Sequence, residues 1–317
     1  MAEKAIEYKN VSKKFDGNTK ESVKNVSLSI EEGAFVTILG TSGSGKTTLL
    51  KMTNRIHELT EGEILFYGKN SKEIPVNEYR RQIGYVIQQA GLFPHKTIEE
   101  NVSTVPKLLK WDKKKTQETV KEMLKLVRLD YDTYAKRYPR QLSGGEQQRV
   151  GIARALAVSP KVILMDEPFG AIDAITRRSL QEELIKLHKE LKNTILFVTH
   201  DIFEAILLGE KIIIMDGGEV QQYDTPYNIM MHPANEFVRN LVFSGDPLEK
   251  LKALSVVTGM EGGEGEIDAS IPTIPSDQHM NEALVTMLNH NSDSIYVVED
   301  EKVLGRLKLN TIKMLIS

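Results

Sequence analysis

The stretch Gly40-Thr41-Ser42-Gly43-Ser44-Gly45-Lys46-Thr47-Thr48 decides the fold, because it lies between an apolar run and an amphipathic segment. The apolar run, residues 35–39, reads as a buried strand, and residues 48–52 read as an opening helix. The glycines allow backbone conformations closed to other residues, so successive N–H groups can converge on phosphate oxygens. Lys46 supplies positive charge for the β- and γ-phosphates, and the Thr47 hydroxyl supplies a Mg²⁺ ligand. The stretch therefore predicts a nucleoside triphosphate site.

Length and composition restrict the classes of protein to which the chain can belong. The 317 residues suffice for a full α/β domain and a smaller one. The absence of cysteine excludes disulfides and thiolate metal sites. No apolar window reaches the roughly 20 residues of a membrane span, and the first residues do not resemble a secretion signal. The net charge of −3 does not predict a nucleic-acid-binding protein, and residues 241–317, with 12 acidic and 6 basic side chains, begin a more acidic region.

Apolar runs of strand length predict a mostly parallel core sheet, since strands covered on both faces are almost continuously apolar. These runs are residues 35–39, 83–87, 162–165, 195–198 and 212–215. Residues 3–33 and 62–68 predict an antiparallel β subdomain, and the charged region 97–140, with apolar residues at helical spacing, predicts a helical subdomain. The turn 216–219 predicts a hairpin that closes the sheet domain.

The last fifty or so residues read as a separate small module. The acidic, glycine-rich run 261–266 is predicted to be a linker. Behind it the pattern indicates a strand at 271–274, a helix at 280–288, strands at 294–298 and 303–309, and a final helix. This β-α-β-β-α order resembles a single cystathionine-β-synthase (CBS) motif, an α+β module.

A second glycine motif narrows the class. Leu142-Ser143-Gly144-Gly145-Glu146-Gln147-Gln148-Arg149 resembles the signature motif of the ATP-binding-cassette (ABC) ATPases, and residues 162–167 resemble their acidic strand end. A Ser-Gly-Gly helix start is a second anion-binding N-terminus, which is unnecessary for a phosphate already held by the first loop. The resemblance implies a P-loop NTPase fold and a head-to-tail homodimer around two ATP molecules. It places Ser143, Gly144, Gly145, Glu146 and, from the D-loop after Pro168, Asp173 at the nucleotide of the second copy.

The hydrolytic residues follow from strand ends and from the same resemblance. Asp166 is expected to bind Mg²⁺ through the outer shell of the ion, and Glu167 to orient and polarise the attacking water as general base. Neighbouring residues on a strand point to opposite faces, so the two carboxylates can divide these duties. The resemblance assigns Gln88 to Mg²⁺ and to sensing membrane subunits, with Gln89 as the neighbouring candidate, and assigns His200 to the γ-phosphate. The predicted metal set is thus Thr47, Gln88 and Asp166.

An aromatic residue is expected to stack on adenine in this family. Phe15 is the first candidate and Tyr8 the alternative. The predicted cofactors are ATP and Mg²⁺.

Residues 52–56 and 78–89 resemble the ATPases of osmoprotectant importers for glycine betaine, carnitine or choline, which also carry C-terminal CBS motifs. This implies an ATPase domain at 1–240, a linker at 241–265 and a regulatory CBS motif at 266–317. The implied partners are two integral-membrane permease subunits and an extracytoplasmic solute-binding protein or domain. The implied location is the cytoplasmic face of the membrane, as a peripheral protein.

Other functions remain open from the sequence. The chain could energise import of another solute, an amino acid or an anion, or act as a soluble ABC ATPase on nucleic acid or ribosomes; the latter class usually has duplicated cassettes, insertions or basic arms. The CBS motif departs from nucleotide-binding examples, because Lys308 and Thr311 stand where those commonly have Thr or Ser and then Asp. A cyclic dinucleotide at a CBS interface between two chains is the remaining candidate ligand.

Overall fold

The computed structural model describes residues 3–17, 19–88, 90–170, 172–243, 247–262, 268, 270–300 and 302–316. Its strands are β1 (Lys4–Lys13), β2 (Val23–Glu31), β3 (Phe35–Gly40), β4 (Glu61–Phe66), β5 (Lys69–Asn70), β6 (Ile83–Val86), β7 (Val162–Asp166), β8 (Thr194–Thr199), β9 (Lys211–Asp216), β10 (Glu219–Asp224), β11 (Glu261–Gly262), β12 (Thr273–Pro275), β13 (Ser294–Glu299) and β14 (Lys302–Lys308). Its α-helices are α1 (Lys46–Thr53), α2 (Val76–Arg81), α3 (Ile98–Val102), α4 (Thr104–Leu108), α5 (Lys113–Leu126), α6 (Tyr131–Tyr134), α7 (Gly144–Leu156), α8 (Ala174–Leu191), α9 (Ile202–Leu208), α10 (Pro226–Met231), α11 (Glu236–Phe243), α12 (Pro247–Ala253), α13 (Met280–Asn289) and α14 (Leu309–Ile316). None of the helices in these ranges combines the length and apolar character of a membrane span.

The predicted parallel core is confirmed. Within the described ranges, six strands form one sheet in the order β10-β9-β3-β8-β7-β6. Strands β3, β8, β7 and β6 run parallel, and every residue of β3, β7 and β8 is buried. Strands covered on both faces must be apolar throughout, so the continuous apolar runs of the sequence located them correctly. The turn between β9 and β10 uses Gly217 and Gly218, both at positive φ, as the predicted hairpin requires.

The antiparallel subdomain and the helical subdomain are also confirmed. The described strands β2, β1, β4 and β5 pair in that order and antiparallel. Helices α3 to α6 occupy the charged region, and α5 buries Thr116, Val120 and Leu124 along one face. Helices α3 and α5 pack against α7, the helix that begins at the signature motif. The amphipathic spacing of α5 therefore serves to attach it to α7.

Contacts divide the chain into two compact units. The first comprises residues 1–200 and 215–220, and the second comprises residues 201–214 and 221–317. In the second unit β12, α13, β13, β14 and α14 follow one another in the predicted β-α-β-β-α order, and the described strands pair as β11-β14-β13-β12. The functional boundaries expected at 240 and 265 stay a prediction. Of the run 261–266 predicted as a linker, Glu261 and Gly262 instead pair with β14 as strand β11, and residues 263–266 lie outside the described ranges.

The residues before the predicted module pack into the same unit as the module. Gly259 lies so close to Met280 and Leu307 that a Cβ there would be 3.3 Å from the Leu307 Cδ1 atom and closer still to the Met280 side chain. Helix α12 contacts both α13 and α14. Cutting the chain after Gly259 would therefore uncover apolar surface in this unit.

Candidate active site

The glycine loop connects β3 to α1, as the sequence predicts. A Cβ on Gly40 would collide with the Met215 carbonyl oxygen, and one on Gly45, at φ 102°, would collide with the Ser22 carbonyl oxygen. Close backbone packing therefore requires glycine at both positions. The tip of the loop is not closely packed in this way, because Ser42 and Gly43 are exposed. The loop is thus fixed at its two ends and open at its tip.

Lys46 lies inside this loop. Its Nζ donates hydrogen bonds to the carbonyl oxygens of Gly40 at 2.8 Å and Thr41 at 2.7 Å, and the residue is only 6% exposed. Burial lowers the pKa of Lys46, while the charges of Glu167 and Asp166 act in the opposite direction. Of the other predicted loop residues, Ser44 is buried and Thr48 is half-buried. The loop therefore holds the Lys46 ammonium group against its own carbonyl oxygens, where the charges of Glu167 and Asp166 still influence it.

Thr47 and Asp166 are in direct contact. The Thr47 hydroxyl donates a 2.8 Å hydrogen bond to Asp166 Oδ1, which joins the start of α1 to the end of β7. Asp166 is 5% exposed, and burial raises its pKa, although Thr47 and the charges of Lys51 and Lys46 oppose that shift. A buried carboxylate with a raised pKa, close to a lysine-bearing loop, marks this position as a candidate functional site.

Glu167 corrects one step of the sequence argument. The two carboxylates do not divide their directions by strand alternation, because β7 ends at Asp166 and Glu167 adopts a left-handed conformation with φ 46°. Its N–H still donates to the Val198 carbonyl oxygen at 3.1 Å. The sheet contact therefore continues for one residue while the side chain is redirected by the positive φ, a conformation uncommon outside glycine.

Glu167 brings together the other two predicted catalytic residues. Gln88 Nε2 donates to Glu167 Oε2 at 3.2 Å, and His200 Nδ1 lies 3.4 Å from the same oxygen. The His200 side chain is 68% exposed, so its pairing with Glu167 is an ion pair only when the imidazole is protonated. Gln89, the alternative to Gln88, lies outside the described residues.

The two adenine candidates have different environments. Tyr8 is 1% exposed and its hydroxyl contacts Thr53 Oγ1 at 2.7 Å, so its ring is part of the core and cannot stack on a ligand. Phe15 is half-buried; its ring centroid lies 5.2 Å from that of His57 in an edge-on arrangement, and Lys13 Nζ lies 4.9 Å from the centroid. Of the two, only Phe15 retains an accessible ring.

The signature residues form the start of α7. Ser143 is its N-cap: Ser143 Oγ accepts from the Glu146 N–H at 3.3 Å, and Glu146 Oε2 accepts from the Ser143 N–H at 2.7 Å. Gly144 is exposed and Gly145 half-buried in the first turn. Asp173 caps α8 by accepting from the Thr176 N–H at 3.0 Å, which holds the Asp173 pKa below its usual value. All five predicted second-copy residues therefore lie at or beside helix N-termini.

The donor set fits a Mg²⁺ ion shared with phosphates. Among the described residues, no group of three or more acidic or histidine side chains could hold a metal ion. A Mg²⁺ bound mainly by phosphate and water needs only one or two protein oxygens, and Thr47 and Asp166 supply hard oxygen atoms side by side. Gln88, the third predicted ligand, contacts Glu167.

Several supporting residues were missed by sequence reasoning. Gln148 Nε2 donates to the Ile87 carbonyl oxygen at 3.0 Å, and the Arg154 guanidinium donates to the Ala90 and Gly91 carbonyl oxygens at 3.0 and 2.9 Å. Helix α7 thus holds the backbone on both sides of Gln88. Tyr134 was also missed, and its hydroxyl donates to Glu146 Oε1 at 2.7 Å. These pairs lie 12 to 64 residues apart, so no local pattern reveals them.

Known proteins resemble the chain over most of its length. A family model described as "ABC transporter" matches residues 23–170. The Bacillus subtilis (strain 168) "Choline transport ATP-binding protein OpuBA" is 48% identical over 295 residues, covering 93% of this chain and 76% of the relative. The "Glycine betaine/carnitine/choline transport ATP-binding protein OpuCA" of the same organism is 46% identical, covering 94% of this chain and 77% of the relative.

A solved structure supports the same assignment. The "Dimeric structure of a post-hydrolysis state of the ATP-binding cassette MJ0796 bound to ADP and Pi" superposes with a TM-score of 0.64 at 38% identity, covering 70% of this chain and 98% of that one. Because relatives above 45% identity align along nearly the whole chain, the glycine loop, the acidic strand end and the signature helix lie in a shared framework. The chain belongs to the ABC transporter ATP-binding subunits, in the group that contains the ATPases of osmoprotectant importers.

Proposed function

We propose that this chain is the ATPase subunit that energises an importer for glycine betaine, carnitine, choline or a similar quaternary-ammonium solute. The observation that carries the ATPase part is the position of Glu167, whose Oε2 lies within 3.2 Å of Gln88 and 3.4 Å of His200, next to the Thr47–Asp166 pair. Nucleophile positioning, metal binding and phosphate binding would thereby meet at one edge of the parallel sheet, where open α/β sheets bind ligands. The solutes named for the similar proteins OpuBA and OpuCA, which are choline and glycine betaine, carnitine or choline, support the solute class.

The loop 40–48 would hold the phosphates of ATP. Its backbone N–H groups and the N-terminus of α1 provide partial positive charge, and Lys46 adds a full one. Thr47 and Asp166 would hold Mg²⁺, and Gln88 would join them. The ion, when bound, neutralises charge that develops on the phosphates. Phe15 would stack on adenine, with His57 edge-on to its ring.

Glu167 would orient and polarise the attacking water. Gln88 and His200 both contact the same oxygen of its carboxylate, Oε2, so its direction is set by two partners. His200 would contact the γ-phosphate. Proton acceptance by a positioned carboxylate and charge stabilisation by the loop are together the main contributions expected in phosphoryl transfer.

Two copies would close head to tail around two ATP molecules. The N–H groups of Ser143 and Glu146 bond within the capping box at the start of α7, so those of Gly144 and Gly145 would meet the anion. Lys46 already serves the phosphate in the same chain. Asp173 would contribute from the D-loop. The dimeric MJ0796 cassette supports this arrangement. ATP favours the closed pair because it contacts both copies only there.

Two permease subunits and a solute-binding protein or domain would complete the importer, with this chain peripheral on the cytoplasmic side. Residues 266–317 would act as a regulatory CBS motif. Lys308 Nζ pairs with Glu261 Oε2 at 2.7 Å, and Thr311 is buried, so neither offers the carboxylate that a ribose needs. A cyclic dinucleotide between two copies of this module would be its candidate ligand.

The proposal is tested by uptake in a bacterial strain that lacks its own osmoprotectant importers. The chain is expressed with the membrane and binding proteins encoded beside it, and uptake of labelled glycine betaine, carnitine and choline is measured in hyperosmotic medium. We expect uptake of at least one of them with the parent chain and none with Glu167→Gln. Uptake of only an amino acid or an inorganic anion would reject the solute class; equal uptake by both chains would reject the ATPase role of Glu167.

A further inference from the structure

Both carboxylate oxygens of Glu146 are engaged by the protein. Oε2 accepts from the Ser143 N–H at 2.7 Å, and Oε1 accepts from the Tyr134 hydroxyl at 2.7 Å. An ordinary capping box uses only the backbone of its own helix. Here the residue that completes the box is also tied to a neighbouring helix, α6. These hydrogen bonds, with that of Tyr134 the stronger influence, hold the pKa of Glu146 below its usual range.

Tyr134 is itself anchored independently of α7. It ends α6, whose start is capped by Asp130 through a 2.9 Å hydrogen bond from the Thr133 N–H. The Arg137 guanidinium lies 4.7 Å from the centroid of the Tyr134 ring. The hydroxyl therefore reaches Glu146 from a turn with its own capping contacts. A hydrogen bond to an ionised acceptor is stronger than one between neutral groups, so this contact is well suited to fix a side chain.

The Glu146 carboxylate lies at the start of α7, where its direction affects the signature residues. At the exposed start of α7 the Glu146 carboxylate accepts from the Ser143 N–H, so the rotamer of Glu146 affects the backbone at Ser143, whose hydroxyl in turn accepts from the Glu146 N–H. Glu146 is half-buried and negatively charged. If it were released, it could point across the first turn and repel a phosphate there. Fixing both oxygens removes that freedom.

We propose that Tyr134 is a positioning residue that acts through Glu146 to hold the signature helix start ready for the nucleotide of a second copy. The inference rests on the proposed ATP-driven dimer. It assigns Tyr134 an effect on dimer closure, with no effect on ATP binding by the single chain, because the hydroxyl contacts α7 and not the loop 40–48.

The test compares two equilibria in the Glu167→Gln background, which is expected to accumulate dimer. Tyr134→Phe removes only the hydroxyl. We expect the ATP concentration for half-maximal dimerisation to rise roughly threefold to tenfold, the range for loss of one hydrogen bond. ATP affinity of the dilute single chain, measured with a fluorescent ATP analogue, should stay unchanged, and the melting temperature is recorded beside it. Tyr131→Phe is the matched control, because Tyr131 lies on the same helix and its hydroxyl is 3.4 Å from Gln117.

A double-mutant cycle identifies the route. In a Glu146→Ala background Tyr134→Phe should add nothing, since its partner is gone. Additive effects, or dimerisation of Tyr134→Phe at parental ATP concentration, would overturn the inference. If Tyr134→Phe lowers the melting temperature, the comparison of Glu146→Ala with Glu146→Gln tests the inference instead. Glu146→Gln keeps an acceptor oxygen and should dimerise better than Glu146→Ala at equal ATP affinity. Equal dimerisation of these two variants would overturn the inference. Failure of Glu167→Gln itself to dimerise would instead refute the proposed dimer.

Discussion

Gln88 Nε2 and Glu167 Oε2 are joined by a 3.2 Å hydrogen bond, although 79 positions separate the two residues in the sequence. They meet because β6 pairs in parallel with β7, so that the carboxyl ends of both strands lie at one edge of the sheet. Strand β8 pairs on the other side of β7 and brings His200 to the same carboxylate. The order of the strands in the sheet therefore brings the candidate catalytic residues together.

Lys46→Ala is expected to weaken ATP binding by about tenfold or more, because a charge-assisted contact to phosphate is lost. Calorimetric or fluorescence titration of the single chain with Mg·ATP measures the change. Lys114→Ala, which removes an exposed lysine of α5, is the control for lost charge. An equal ATP affinity for Lys46→Ala and the control would contradict the role given to the loop.

Asp166→Asn is expected to stabilise the fold while reducing Mg²⁺-dependent ATPase activity. Burial raises the folded-state pKa of Asp166 above the ordinary value of 3.8, so the folded chain binds this proton more tightly than the unfolded chain. The stabilisation that protonated Asp166 contributes is therefore lost as the pH rises from 3.8 through the raised pKa. At neutral pH the ionised carboxylate lowers the free energy of unfolding. Asparagine removes the charge and still accepts from Thr47.

The measurement for Asp166→Asn is the melting temperature across a pH series. The variant should melt a few degrees higher than the parent near pH 8, and the difference should shrink as pH falls toward the raised pKa. A difference independent of pH, or a variant that melts lower throughout, would show that the ionised carboxylate is not unfavourable there.

Mixing Ser143→Arg chains with Lys46→Ala chains is expected to restore ATPase activity that neither variant has alone. In a mixed dimer one site combines an intact loop with an intact signature, and the other site carries both changes. Steady-state ATPase assays of each variant and of their equimolar mixture test this. No recovery on mixing, together with unchanged ATP-driven dimerisation of Ser143→Arg alone, would contradict the placement of Ser143 at the nucleotide of the second copy.

The excess of acidic side chains over residues 241–317 predicts that transport responds to ionic strength, and neutralising acidic residues of the C-terminal module is expected to flatten that response. Asp277 and Asp300 are exposed, and their contacts with partners would be screened over a Debye length of about 10 Å at 0.1 M salt. Transport by Asp277→Asn/Asp300→Asn is measured in proteoliposomes across a salt series. The control neutralises Glu58 and Asp132, exposed residues of the first unit. Parallel curves of transport against salt concentration for parent and variant would show that these two charges do not cause the response to ionic strength.

Local patterns predicted the features that depend on local physics. The run before Gly40 is buried on both faces and therefore apolar throughout, and Gly217-Gly218 forms a turn that only positive φ allows. The tail order from Thr273 onward followed from alternating strand and helix periods. The residue types of the loop were sufficient to indicate a nucleotide site, and the metal role of Asp166 stays a prediction.

Contacts set by packing between distant segments could not be predicted. Nothing near Tyr8 distinguishes a core tyrosine from one that faces a ligand; burial by two neighbouring strands decides it. The left-handed φ of Glu167 comes from the end of β7 against β8, against its intrinsic preference. The Tyr134–Glu146 contact depends on how α6 meets α7.

The central claim is that Glu167 orients the attacking water at a site completed by a second copy. Its most direct test is size-exclusion chromatography of Glu167→Gln with Mg·ATP, run beside a phosphate-release assay. The amide keeps the shape and an acceptor for Gln88 but removes the base, so we expect ATP binding at parental affinity, turnover reduced to near background and a stable ATP-dependent dimer. A variant that hydrolyses ATP at the parental rate, or that remains monomeric with ATP bound, would contradict the account.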